Sequence, residues 1–217
     1  MTSCAPAPKL RAPATKKSPE AVSAFQTTFA ERLKVKLPAE RTKPVELWAY
    51  DERRLGLHTI RRRRITARGT KPVGQLQQRF TNFYLYGAIA PASGDGYFLG
   101  MATFNAKHVQ RFLDEFAQAR CDTLNVLLLD NSRCHTAQEV RIPENVVLLF
   151  QEPYAPELNP AERVWEHLKT ALAWRCFASL EDVQAEIVRL VTDYDAETLH
   201  SLTAYPYIMH AINDVCT

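Results

Sequence analysis

The sequence has no apolar run near the roughly 18 residues that a membrane-spanning helix requires, so no membrane span is expected. Residues 1–19 hold four prolines and no apolar stretch of the kind that drives secretion, which argues against a cleaved leader. With seven glycines in 217 residues the chain is not collagenous. Cysteine is sparse and poorly placed for paired chemistry. Cys4, Cys121, Cys134, Cys176 and Cys216 are odd in number and form no Cys-x-x-Cys pair. That excludes zinc ribbons and thioredoxin-like sites. A reduced, intracellular and therefore cytoplasmic setting is expected.

One further absence is local. Residues 53–94 contain no Asp or Glu, yet they hold nine basic side chains. The whole chain hides this, because 27 basic and 24 acidic residues leave a net charge of only +3. A one-signed field of this kind suits a polyanion. The plainer alternative is a solvated, charged hairpin. What is present in quantity is apolar: 46% hydrophobic and 24% charged residues are enough to bury a real core.

The organisation follows from pattern. Residues 1–20 are rich in Pro, Ala, Ser and Lys and read as a flexible tail. Ser18, Pro19 and Glu20 read as a helix start, with Phe25, Phe29 and Leu33 at helical spacing. Residues 1–44 are thus expected to be a tail and linker helix, and residues 45–217 the main domain. Val45 to Asp51 reads as a strand, and the arginine-rich run Thr59 to Thr66 as a second strand or the hairpin around it. Asn82 to Ala90 is a third strand, followed by turn chemistry through Gly96. Asn105 caps a helix bearing Val109, Phe112, Leu113 and Phe116. Leu124 to Leu129 and Val146 to Phe150 are buried strands. A helix from about Asn159 to Trp174 follows, and another from Ser179 to Asp193. Strands first, then strand–helix alternation, predict an α/β or α+β sheet with helices on its faces.

Three acids stand apart by position. Asp51 and Asp130 end strands, and Glu162 lies in the first turn of a helix after the last strand. Open sheets build their sites at such strand ends. Gathering carboxylates is costly unless a cation lies between them, and Mg²⁺ needs only a few oxygen ligands. Plainer roles exist. Asp51 and Asp130 are ordinary turn formers. Asn159-Pro160-Ala161-Glu162 is nearly a capping box. Glu157 and Glu166 are rival acids nearby.

The surrounding strings narrow this choice. Asp130-Asn131-Ser132-Arg133-Cys134-His135 resembles the second-aspartate motif of the Tc1/mariner and IS630-type transposases. Pro153-Tyr154-Ala155-Pro156-Glu157-Leu158-Asn159-Pro160-Ala161-Glu162-Arg163-Val164-Trp165 resembles their third-acid motif. Tyr50-Asp51-Glu52, followed by Arg54 and Gly56, is similar to the first-aspartate segment, and Tyr84-Leu85-Tyr86-Gly87-Ala88 to the middle strand. Ala155 and Ala161 depart from the usual residues, and neither is a ligand. The resemblance implies an α/β, RNase H-like mixed sheet with helices on both faces. It also implies a catalytic and metal-binding triad of Asp51, Asp130 and Glu162, choosing Glu162 over its rivals. The implied cofactor is Mg²⁺, as two ions, with Mn²⁺ a substitute. The implied reaction is cleavage and joining of DNA by in-line displacement at phosphorus.

Around that triad, His135 and Asn131 are candidates for orienting water or contacting phosphate. The alternatives are an exposed helix position for His135 and a helix cap for Asn131. Asn159 reads as a cap, and Trp165 and Trp174 as packing for the last helix. Arg61, Arg62, Arg63, Arg64, Arg68 and Lys71 are candidates for phosphate contacts. Four consecutive arginines on a strand would divide between its faces. The expected partners are DNA, as transposon ends and target, and a second copy of the chain. A helix-turn-helix protein from an upstream frame is a further expectation, because residues 1–44 are too few for such units. Two other classes stay open: a ribonuclease H or resolvase-like nuclease, and an inactive DNA-binding remnant. A plain α/β scaffold would show no affinity for divalent metal.

Overall fold

The computed structural model describes residues 18–63, 65–70 and 73–215. The expected tail, Arg64, Lys71 and Cys216 lie outside the described residues. Strands β1 (Val45–Gly56), β2 (Asn82–Ala90), β3 (Asp95–Met101), β4 (Leu124–Leu129) and β5 (Val146–Phe150) form one sheet. Its order is β3-β2-β1-β4-β5. The β1–β2 and β2–β3 pairs are antiparallel, and β1–β4 and β4–β5 are parallel. The sheet is therefore mixed, with β1 at its centre.

Side chains alternate along each strand, so the sheet separates two cores. On one face Trp48, Tyr50, Tyr86, Leu127 and Leu129 pack with α2 (Ala106–Ala119) through Val109, Phe112, Leu113 and Phe116. Asn105 caps that helix by accepting from His108 N, as its sequence pattern predicts. On the other face lie α1 (Pro19–Lys36), α3 (Ala161–Ala171), α4 (Leu180–Thr192), α5 (Ala196–Thr203) and α6 (Pro206–Val215). Leu47, Val126, Leu128 and Leu149 meet α1 and α6. Ala49, Leu55, Leu85 and Ile89 meet α3, α4 and α5. Helix α1 begins with Ser18 accepting from Ala21 N. Its Phe25, Phe29 and Leu33 are fully buried against Ile208, Ala211 and Val215. This is the RNase H-like arrangement.

Several elements differ from their sequence-based expectation. The arginine-rich run 59–66 is not a strand. Its backbone bonds to separate segments and not to a neighbouring strand: Thr59 N donates to Gln77 O, and Ile60 O and Arg62 O accept from Trp174. The run instead lies in an irregular arm, residues 57–81, with no helix or strand among its described residues. Strand β3 was not anticipated: two glycines, Gly96 and Gly100, dilute its pattern. Helix α3 starts at Ala161 and ends at Ala171, three residues short of Trp174. Helices α4 and α2 match their expected capping residues, and Ser179 forms a full capping box with Asp182. Among the described residues no helix is long and apolar enough to cross a membrane.

Candidate active site at the carboxyl end of β4

Strand pairing brings the first two acids together. The β1–β4 register pairs Ala49 with Leu128. Asp51 and Asp130 each lie two residues further on, so both belong to the place where β4 stops and β1 runs on. Glu162 arrives from the opposite direction, in the first turn of α3, which packs on the same face of β1 as Asp51. Asp51 and Glu162 lie near enough for their charges to interact, and Asp130 follows the end of β4, the strand beside β1.

The capping-box reading of Glu162 is not realised. Asn159 accepts from Ala161 N at 3.1 Å and donates its amide to Tyr50 O at 2.8 Å. Asn159 therefore ties the start of α3 to the residue before Asp51. The Glu162 carboxylate lies 3.9 Å from Arg53 Nη1. The rival Glu166 is engaged elsewhere, with Arg62 and Lys169.

Asp51 is partly buried and accepts from the indole Nε1 of Trp165 at 2.8 Å. Its carboxyl is pushed up to about 8, chiefly by burial and then by the charges of Glu52 and Glu162. The Trp165 hydrogen bond pulls the other way without cancelling this. Trp165 packs α3 on the sheet, as expected, and is fully buried. Its polar edge has a second use that composition does not reveal.

Asp130 is half exposed and accepts from Ser132 N at 2.9 Å. It opens on a cavity of about 740 Å³ lined also by Asn131, Ser132, Glu152 and Tyr154. Behind it stands His135. The imidazole is buried, not the exposed helix position offered as an alternative. Its Nδ1 donates to Asp130 Oδ1 at 2.9 Å, and its Nε2 to Glu52 Oε1 at 2.9 Å. Burial opposes its charge, but hydrogen bonds to Asp130 and Glu52 outweigh it and hold the ring at about 10. The same contact with His135 lowers Asp130. Glu52 points to the α2 face, opposite to Asp51, with a side chain only 5% exposed. Sequence reasoning passed over Glu52. Its one signal was its place next to Asp51, on the alternate face of the same strand.

Asn131 caps no helix. It donates to Gln151 O at 2.6 Å and so ties the loop after β4 to the end of β5. Among the described phosphate candidates, Arg61, Arg63 and Arg68 are exposed and Arg62 is partly buried. Trp174 does not pack α3 on the sheet. Its backbone N–H donates to Ile60 O at 2.9 Å and its indole to Arg62 O at 3.0 Å. It anchors the arm.

The donor set fits a hard divalent cation in kind. It consists of carboxylate oxygens, and Asp51 resists ionising chiefly because it is buried and then because Glu52 and Glu162 are also acids. Among the described residues no three His, Cys, Asp or Glu side chains close into a ready metal cage. The carboxylates do not converge on a point.

Comparison with known proteins follows the same lines. The family described as DDE superfamily endonuclease matches residues 46–184. The uncharacterized protein y4pE/y4sA of Sinorhizobium fredii (strain NBRC 101917 / NGR234) is 32% identical over 102 residues, which are 46% of this chain and 76% of that one. Among solved structures, the Mos1 mariner paired-end complex with Mn superposes at a TM-score of 0.67 and 19% identity, over 98% of this chain and 67% of that one. The Mos1 paired-end complex with Mg gives 0.65 and 17%, over 98% and 67%. The Mos1 transposase paired-end complex with the left transposon end gives 0.65 and 18%, over 97% and 67%. At such identities the likeness to these structures is one of fold.

Proposed function

Given that the chain belongs to the DDE superfamily of endonucleases, we propose that it is the catalytic domain of a transposase that cleaves DNA and joins the cut 3′ end to a target. What supports this reading is that Asp51, Asp130 and Glu162 all fall within the stretch that matches the family, with Asp51 and Glu162 close enough to interact and Asp130 just past the strand beside β1. These three side chains would hold two Mg²⁺ ions, or Mn²⁺. When bound, the cations polarise the scissile phosphate and neutralise charge on the attacking and leaving oxygens.

The protein's own groups divide the remaining work. Trp165 holds the Asp51 carboxyl in place. His135 holds Asp130 from behind. Asn159 fixes where α3 begins, and with it the direction of Glu162. Arg61, Arg62, Arg63, Arg64, Arg68 and Lys71 draw the phosphate backbone toward the arm without reading sequence. No covalent link between protein and DNA is needed, because water and then the freed 3′ hydroxyl act as nucleophiles.

Residues 45–217 form the catalytic unit in this reading, and α1 joins it to the residues before. The enzyme acts in the cytoplasm, as a homo-oligomer on transposon ends and target DNA. A helix-turn-helix protein from an upstream frame supplies recognition of those ends. The test is cleavage of duplex DNA in Mg²⁺ or Mn²⁺ by the chain and by Asp130→Asn and Glu162→Gln. Both substitutions are expected to abolish cutting. Cutting that survives both sinks the assignment. Preference for an RNA–DNA hybrid over duplex DNA makes the chain a ribonuclease H-like nuclease instead.

A further inference from the structure

A second cavity, of about 520 Å³, lies between the arm, the end of β1 and α3. Arg53, Arg54, Arg61, Arg79 and Lys169 line it, and no acidic residue does. Lys169 is paired with Glu166 at its rim, and Arg53 reaches Glu162 at 3.9 Å. Among the described residues Arg54, Arg61 and Arg79 are in no ion pair, so the lining keeps an excess of positive charge. The wall also carries an aromatic pair. His58 and Phe80 stack with ring centroids 5.6 Å apart and planes 13° from parallel. Phe80 is 71% exposed, which is unusual for so large an apolar side chain in a groove of arginines.

The walls are fixed rather than loose. Thr59 and Gln77 exchange bonds across the arm, Thr59 N to Gln77 O at 3.1 Å and Gln77 N to Thr59 Oγ1 at 2.8 Å. Trp174 holds Ile60 and Arg62 from below. Arg79 is tethered to Ala178 O at 2.7 Å. A flat exposed ring on a rigid wall, with cations around it, has the chemistry that binds an unpaired nucleotide: the ring stacks a base and the arginines take the phosphates. Continuous duplex offers no free base face to such a ring. Arg53 lines this groove and reaches Glu162, so the groove adjoins the candidate active site on the Glu162 side.

We propose that this groove seats single-stranded DNA leaving the reacting phosphate, with one unpaired base stacked on Phe80 and His58. The proposal rests on the reading of the chain as a DNA-cleaving enzyme and adds a binding site to it. It is tested by binding alone, in chelator, so that absence of cleavage does not affect the result. The probes are a blunt DNA duplex and the same duplex with a single-stranded tail carrying one 2-aminopurine. The tailed duplex is expected to bind more tightly, and its fluorescence to be quenched on binding. Phe80→Ala should weaken the tailed duplex about tenfold, abolish the quench and leave the blunt duplex unchanged. Phe80→Trp should restore both, and Phe80→Leu neither, which separates stacking from mere apolar cover and from misfolding. Equal affinity for the two probes, an unquenched tail, or equal losses on both probes in Phe80→Ala would overturn the proposal. Intact tail binding in a chain that cuts no DNA would sink the catalytic reading and leave the groove standing.

Discussion

The indole nitrogen of Trp165 donates to Asp51 across 2.8 Å, and the ring reaches that position because Gly87 stands opposite Asp51 on β2. A Cβ on Gly87 would lie 2.6 Å from the indole. The glycine is needed for close approach and not for backbone freedom. Trp165→Phe keeps the packing and removes the donor. A hydrogen bond to a charged group contributes about 1.5–3 kcal/mol. We therefore expect kcat to fall at least about tenfold with little change in KM for DNA, and the rise of metal binding with pH to move to higher pH, because the Trp165 bond favours the ionised carboxyl. Gly87→Ala should displace the indole and lower stability by about 1–3 kcal/mol, read by denaturant unfolding. An unchanged kcat in Trp165→Phe would show that Asp51 needs no such support.

Asp51 also sets a pH dependence. Its folded carboxyl sits at about 8 against 3.8 when free, mainly through burial. Between those values the unfolded chain has lost this proton and the folded chain keeps it, so stability falls as pH rises through the window and levels above it. A divalent cation that binds the ionised carboxyl only in the fold reverses the trend. Without divalent metal, the melting temperature is expected to fall from about pH 5 to about pH 8. The gain on adding Mg²⁺ should grow over the same range. Asp51→Asn should flatten the first slope and remove most of the second. A Mg²⁺ gain independent of pH and of Asp51 would place the cation elsewhere.

Glu52, His135 and Asp130 form a chain of two charge-assisted bonds with its middle member buried. His135 is held at about 10 against 6.5 when free. Its contribution is present below about pH 6.5 and is lost as pH rises through about 10. Removing one partner of a buried pair typically costs about 3–5 kcal/mol. Glu52→Gln keeps an acceptor for the imidazole and should cost less than Glu52→Leu. Both should weaken Mn²⁺ binding, measured by electron paramagnetic resonance, because Asp130 loses its backing. Mn²⁺ affinity that stays constant in a folded Glu52→Leu protein would confine Glu52 to a structural role.

How much of this was legible follows from which residues speak locally. Asp130 and Glu162 stand at element boundaries as expected, whereas Asp51, expected to end its strand, lies inside β1, which runs on to Gly56; all three were singled out because their neighbours in sequence form recognisable strings. Glu52 could not. Its meaning depends on His135, 83 residues away, and on the alternation that turns it from Asp51 to the other face. The arm was misread for a related reason. Thr, Ile and Arg suit a strand locally, but the backbone of the run finds its partners in Gln77 and Trp174, far along the chain, and these are not part of a strand. Trp174 looked like helix packing because its ring is large. Its positive φ of 63° takes it out of the helix and turns both of its N–H groups toward the arm.

That last feature leads to a prediction about DNA affinity. A non-glycine residue in the left-handed region costs about 1–3 kcal/mol unless its surroundings enforce it. Here Ile60 and Arg62 accept both N–H groups, and Gly74 leaves room for the ring, since a Cβ there would lie 2.6 Å from it. Trp174→Gly keeps the backbone but frees the arm, and Gly74→Val presses on the same contact. Each is expected to weaken DNA binding across all sequences without changing its salt slope, because the cations remain and only their placement is lost. Arg61→Gln and Arg63→Gln act differently. Each exposed arginine that neutralises a phosphate should lower the slope of log affinity against log salt by about one. Arg62→Gln should lower it less, because Arg62 is already paired with Glu166. Equal slopes for all three arginine variants would mean that the Arg62–Glu166 pair opens when DNA binds.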